Sequence, residues 1–156
     1  MPHPLPARPA RCCAAPALTL LLTLARRGAP HAGAGHGSVF DYTILQACSA
    51  CGGGVVEHHS HDCWDVADHA SWDMYWWWRI TADDMTLVHE LAAACPVLPA
   101  GTGCTCAVHQ GLGEGTPPGI AAPVETQSEP APVPRARVRL TDGVARWAEE
   151  APGRDR

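Results

Sequence analysis

The sequence predicts an α+β fold: a β-hairpin, a tryptophan-rich strand and one helix in a central module, residues 39–112, with disordered ends. Three observations carry this expectation. Two stretches, "VVEHHSH" and "WDMYWWWRI", alternate with the two-residue period of half-buried strands. The turn-forming run "CSACGGG" precedes the first of them. After the second, Thr81-Ala82-Asp83-Asp84 has the S/T-x-x-D/E form that starts a helix before an apolar run.

Taken in order, Asp41–Ala47 ("DYTILQA") is rich in β-branched and aromatic residues and reads as a strand. The Cys48-x-x-Cys51 turn follows, and three glycines then let the chain reverse tightly. On the returning strand Val55, Glu57, His59 and His61 share one face, with Val56 and His58 on the other. In the next strand Trp72, Met74, Trp76, Trp78 and Ile80 share a face opposite Asp73, Tyr75, Trp77 and Arg79. Indoles bury large apolar areas, so these tryptophans are expected to supply most of the core. The alternative, an aromatic platform, is less expected than the core role, and Trp77, on the more polar face, is the one exception to watch. The helix is expected from about Ala82 to Ala94, ending before Pro96. Its buried stripe is Met85, Val88, Leu91, Ala92 and Cys95, with Asp83, Asp84 and Glu90 outside and His89 at the edge of the core.

The ends differ in composition from this module. Residues 1–38 read as a signal-peptide-like or mis-started segment. Arg8 and Arg11 precede an apolar run, Cys12 to Ala25, and Ala32-Gly33-Ala34 has the A-x-A form of a cleavage site. That run has fourteen residues, whereas a membrane-spanning helix needs about 20. No membrane span is therefore expected. Residues 113–156 read as a proline-rich disordered tail. Within it "VRLTDGVARWAEEA" is expected to form a short helix capped by Thr141 or Asp142.

Charge separates function classes. Residues 38–112 carry nine acidic side chains against Arg79 alone, a net charge of −8, and the chain contains no Lys. Nucleic-acid affinity rests largely on Lys and Arg neutralising phosphates. The acidic module therefore disfavours nucleic acid and leaves another protein as the expected partner.

The chemistry lies in the cysteines and histidines. Cys48-x-x-Cys51 brings two thiolates onto one turn, and "CTCAVH" supplies Cys104, Cys106 and His109, giving the form CxxC…CxxH. Paired elements of this kind bind tetrahedral structural zinc, and Cys and His donors select zinc over the hard cations favoured by carboxylates. The expected site is Cys48, Cys51, Cys106 and His109, with Cys104 as a substitute ligand. His59, His61 and Cys63 are candidates to complete it or to form a second site. A metal would also offset the small core of so short a module.

These ligand pairs and the hairpin resemble zinc ribbons and zinc knuckles as a broad class, between about Tyr42 and Leu112. The resemblance implies a structural zinc. Because such a metal leaves no open coordination position for chemistry, a protein-interaction or regulatory role inside the cell, in the cytoplasm, is expected by elimination ahead of an enzymatic one. Two alternatives stand beside it. A CxxC followed by "EHHSHD" resembles HNH-type nucleases, which would make His58 or His59 a general base and Cys104 and Cys106 a second zinc pair. The chain departs from that family in lacking Asn entirely. If residues 1–34 direct secretion, the six remaining cysteines can instead form three disulfides.

Overall fold

The computed structural model describes residues 12–28, 39–65, 70–118, 124–125 and 133–149. The strands are β1 (Leu18–Gly28), β2 (Val39–Cys48), β3 (Gly54–Asp65), β4 (Ala70–Ile80), β5 (Val124–Glu125), β6 (Arg137–Thr141) and β7 (Val144–Ala148). The helices are α1 (Ala82–Ala92) and α2 (His109–Leu112). Strands β1 to β5 form one antiparallel sheet in sequence order, and β6 and β7 form a separate hairpin. The α+β expectation stands in this form, with sheet predominating. Among the described residues no helix is long and apolar enough to cross a membrane.

The predicted hairpin is β2–β3, with Ala47 opposite Gly54. Its turn closes through the Gly52 N–H to the Cys48 carbonyl (2.9 Å) and the Cys48 N–H to the Gly53 carbonyl (2.9 Å). Gly52 has φ +74°, a left-handed conformation that side chains oppose. Gly54 is needed for a different reason: a Cβ there would lie 2.7 Å from both the Gln46 carbonyl oxygen and the Met85 sulfur.

One face of the sheet carries the main core. Leu22 and Leu24 of β1, Leu45 of β2, Val56 of β3 and Trp78 and Ile80 of β4 pack with Met85, Val88 and Ala92 of α1. Val108, Leu112, Val138 and Ala145 complete it from α2 and the β6–β7 hairpin. The opposite face is also buried, around Val55, Tyr75 and Trp77. Trp77 is only 3% exposed, and its indole N–H donates to Glu57 Oε2 at 2.8 Å. It is a core residue and not an aromatic platform.

Several local expectations are corrected. The segment expected as a C-terminal helix is the β6–β7 hairpin, with Thr141 opposite Val144 across Asp142-Gly143. Both turn residues have positive φ, 52° and 77°, which is the type I′ geometry that Asp-Gly favours in two-residue hairpin loops. Asp84, expected outside, is buried. It accepts from Arg137 Nε and from the Val138 N–H, both at 2.9 Å, and so ties the hairpin to α1. Thr81 is the N-cap residue but makes no side-chain cap bond. His89 is exposed, and Cys95 lies beyond the end of α1, not in its buried stripe.

Candidate metal centres

Two groups of sulfur and nitrogen atoms converge in the fold. The first is Cys12, Cys13, Cys48 and Cys51; the second is Cys95, Cys104, Cys106 and His109. Within each group the prospective ligand atoms lie within 4.8 Å of one another.

The first cluster forms where the start of β1 meets the β2–β3 turn. Leu18 pairs with Cys48, and the Ser49 N–H donates to the Ala17 carbonyl at 3.0 Å, which draws Cys12 and Cys13 over the CxxC loop. Sγ–Sγ separations are 3.5 Å for Cys12–Cys51, 3.9 Å for Cys13–Cys48 and 4.0 Å for Cys12–Cys13. A tetrahedron with metal–sulfur bonds of about 2.3 Å has edges of about 3.8 Å, which these distances bracket. Main-chain N–H groups support the sulfurs, from Ala17 to Cys48 (3.4 Å) and from Gly53 to Cys51 (3.3 Å). The Ala17 N–H is the main influence lowering the Cys48 thiol to about 6. Burial, followed by contact with neighbouring thiols, pushes Cys12 the other way. In the metal-free chain one sulfur therefore ionises readily while a neighbour stays a donor.

The second cluster is assembled by the loop after α1 and by α2. Cys95 and Cys104 sulfurs are 3.7 Å apart, and His109 Nδ1 lies 3.5, 3.0 and 3.2 Å from Cys95, Cys104 and Cys106. The other ring nitrogen, Nε2, donates to the Thr23 carbonyl at 2.8 Å. That contact fixes the tautomer and leaves the Nδ1 lone pair facing the sulfurs, the arrangement typical of histidine metal ligands. Burial opposes ionisation of Cys106, but the main-chain N–H and the ring of His109 bring its thiol down to about 6. Burial raises Cys95 to about 11. Behind the site, α2 lies flush on β7: a Cβ on Gly111 would run into the Ala145 carbonyl, and the Ala145 N–H donates to Ala107 at 2.9 Å.

The expected four-ligand set is thus divided. Cys48 and Cys51 do not join Cys106 and His109, because the two pairs meet different parts of β1. Cys48 lies opposite Leu18, whereas His109 bonds to Thr23. Five residues of strand separate those points, roughly 17 Å at about 3.3 Å per residue. Cys104, expected as a substitute, belongs with Cys106 and His109. The candidate ligands that the sequence does not point to are Cys12, Cys13 and Cys95. The first two lie in the apolar N-terminal run, and the spacing of Cys95 from Val88, Leu91 and Ala92 matches a helix stripe. Seven of the eight cysteines together with His109 make up the two four-ligand sets, and the abundance of cysteine was the signal that more than one set was present.

His59 and His61 belong to neither cluster. Both rings donate to Asp73 Oδ1, from His59 Nε2 at 2.7 Å and His61 Nδ1 at 2.9 Å. His59 stacks on Tyr75 with ring centroids 4.3 Å apart, and its burial lowers its basicity. Glu57 beside them accepts from Tyr42 as well as Trp77. His58 faces the other way and bonds to Thr43 Oγ1 at 2.9 Å. The histidines named by the nuclease resemblance therefore lie on opposite faces of β3, apart from both cysteine clusters. Cys63 lies in β3 opposite Ser71; its side chain is outside the described residues.

The seven cysteines whose side chains are described are free thiols. Compared with known proteins, the chain matches no protein-family model, no curated protein and no solved structure. Its chemistry is therefore argued from the two clusters, each of which can hold a metal ion.

Proposed function

We propose that this chain is a small zinc-binding protein in which both clusters hold structural zinc, and that it serves as a protein-interaction or regulatory module. The observation carrying this reading is the convergence of four ligand atoms at each centre, all within 4.8 Å of one another, with sulfur–sulfur contacts of 3.5, 3.9 and 4.0 Å in the first and 3.7 Å in the second. A tetrahedral zinc has sulfur–sulfur edges of about 3.8 Å, close to these separations, and nitrogen–sulfur edges of about 3.6 Å. His109 Nδ1, at 3.5, 3.0 and 3.2 Å from the three sulfurs, sits somewhat inside that edge and would move outward on binding. The His109–Thr23 contact adds the outer support that such sites employ. Thiolate and imidazole donors favour zinc over oxygen-seeking cations.

Four protein ligands at each centre leave no open position for a substrate, which supports a structural role over catalysis. The acidic middle of the chain favours a protein partner over nucleic acid. Free thiols accord with a reducing compartment such as the cytoplasm.

Metal analysis of the purified full chain with a thiol count tests the reading. Two zinc ions per chain, with most thiols reacting only after chelation, are expected. Metal-free protein containing cystine bridges would refute it.

A further inference from the structure

The two centres share a structural part, the edge strand β1. Cys12 and Cys13 lie just before it, and Ala17 at its approach is bonded to both Ser49 and the Cys48 sulfur. In mid-strand, Thr23 is only 1% exposed, and its two main-chain groups turn toward the other centre. Its N–H donates to the Pro99 carbonyl at 2.8 Å, inside the loop joining Cys95 to Cys104. Its carbonyl accepts from His109 Nε2 at 2.8 Å. Leu22 and Leu24, on either side, are fully buried in the main core.

Among the described strands β1 pairs with β2 alone, and Thr23 directs its outward main-chain bonds to the second centre. Ordering Pro99 and His109 around a metal presents a donor and an acceptor that match β1. A seated β1 in turn delivers Cys12 and Cys13 to Cys48 and Cys51. Without it, the first centre retains a CxxC pair and must close a chain loop of more than thirty residues, at an entropic cost.

We infer that the two metal centres load cooperatively, each raising the other's affinity by seating β1. This deepens the zinc reading and rests on it. Coupling between sites is reciprocal and commonly amounts to about 5- to 150-fold in affinity, so the same factor should be read from either centre.

Cobalt(II) tests this on the full chain, because its absorption distinguishes an all-sulfur centre from one with three sulfurs and a nitrogen. In the unaltered chain both spectra should rise together during titration. The double variant Cys95→Ser/Cys106→Ser removes the second centre, and cobalt affinity at the four-cysteine centre should fall at least 5-fold. His109→Cys supplies a sulfur in place of Nδ1 but deletes the Thr23 contact. Its second centre should turn all-sulfur while affinity at the first centre again falls at least 5-fold. Affinity within about twofold of the unaltered chain in both variants, well under the range for coupled sites, would overturn the inference and leave the zinc reading intact. A loss confined to the double variant would also overturn it, since it would report a damaged fold and not the β1 link. Absence of cobalt from both centres of the unaltered chain would defeat the zinc reading and this inference together.

Discussion

The ring of His109 donates from Nε2 to the carbonyl of Thr23 at 2.8 Å, and the opposite nitrogen lies 3.0 Å from the Cys104 sulfur. A single side chain thus joins the cysteine-bearing loop to the edge strand of the sheet. The ring orientation is set by the fold before any metal is considered, because a main-chain carbonyl can only accept. A metal held at this cluster would therefore be linked to the seating of the edge strand.

Metal removal should therefore be costly. A metal that binds the folded state alone adds about 2.7 kcal/mol at roughly a hundredfold excess over its Kd, the upper figure for each centre under the zinc reading. Chelation of the full chain should lower its thermal midpoint and its urea midpoint, followed by circular dichroism. Zinc should restore both, whereas magnesium should not. Unchanged unfolding after complete removal of metal would contradict a structural role.

The contact between α2 and β7 gives a second expectation. Gly111 has no room for a methyl group, because its Cβ direction points into the Ala145 carbonyl. Gly111→Ala must push α2 off the hairpin, and His109 moves with it. Overpacking of this kind typically costs about 1–3 kcal/mol, and weaker zinc retention should accompany the loss. Gly115 has nothing within 4 Å of its Cβ position, so Gly115→Ala serves as the control and should leave both unfolding and zinc retention near their starting values.

How much of this was legible in the sequence depended on the range of the interaction involved. The β2–β3 hairpin and α1 were readable because alternation, the glycine run and the Thr81 start signal are all local. The β6–β7 hairpin was locally encoded too, by Asp142-Gly143, but a Thr-Asp start also suits a helix, and pairing with Trp147 decided between them. The grouping of the ligands was not readable. Cys12 comes within 3.5 Å of Cys51 only because β1 pairs with β2, and no spacing rule connects positions 39 residues apart. Asp84 likewise appeared solvent-facing until Arg137 and Val138 were brought against it.

Trp77 and Trp78 offer a matched comparison, since both are 3% exposed and differ in their polar partner. Trp77 donates to Glu57 at 2.8 Å; Trp78 Nε1 has no hydrogen-bond partner among the described residues. Replacement by Phe removes similar apolar area at each position. Trp77→Phe also strips a donor from a carboxylate, a bond of about 1.5–3 kcal/mol. It should therefore destabilise the chain more than Trp78→Phe by an amount in that range in urea unfolding. Equal losses would mean that the Glu57 bond contributes no stability.

The two tyrosines, Tyr42 and Tyr75, are the only ones in the chain, so tyrosinate absorbance reads this buried face directly. Burial, reinforced by the nearby carboxylates of Glu57 and Asp73, pushes Tyr75 up to about 12 and Tyr42 higher still. Unfolded tyrosine titrates near about 10. The folded state thus holds both phenols protonated, and their contribution to stability is complete below the unfolded value. It is lost as pH rises from about 10 toward 12. Tyrosinate should consequently appear late and together with the loss of strand signal in circular dichroism, while in denaturant it should appear near the ordinary value. Ionisation near 10 with the sheet still intact would show that this face is open to solvent.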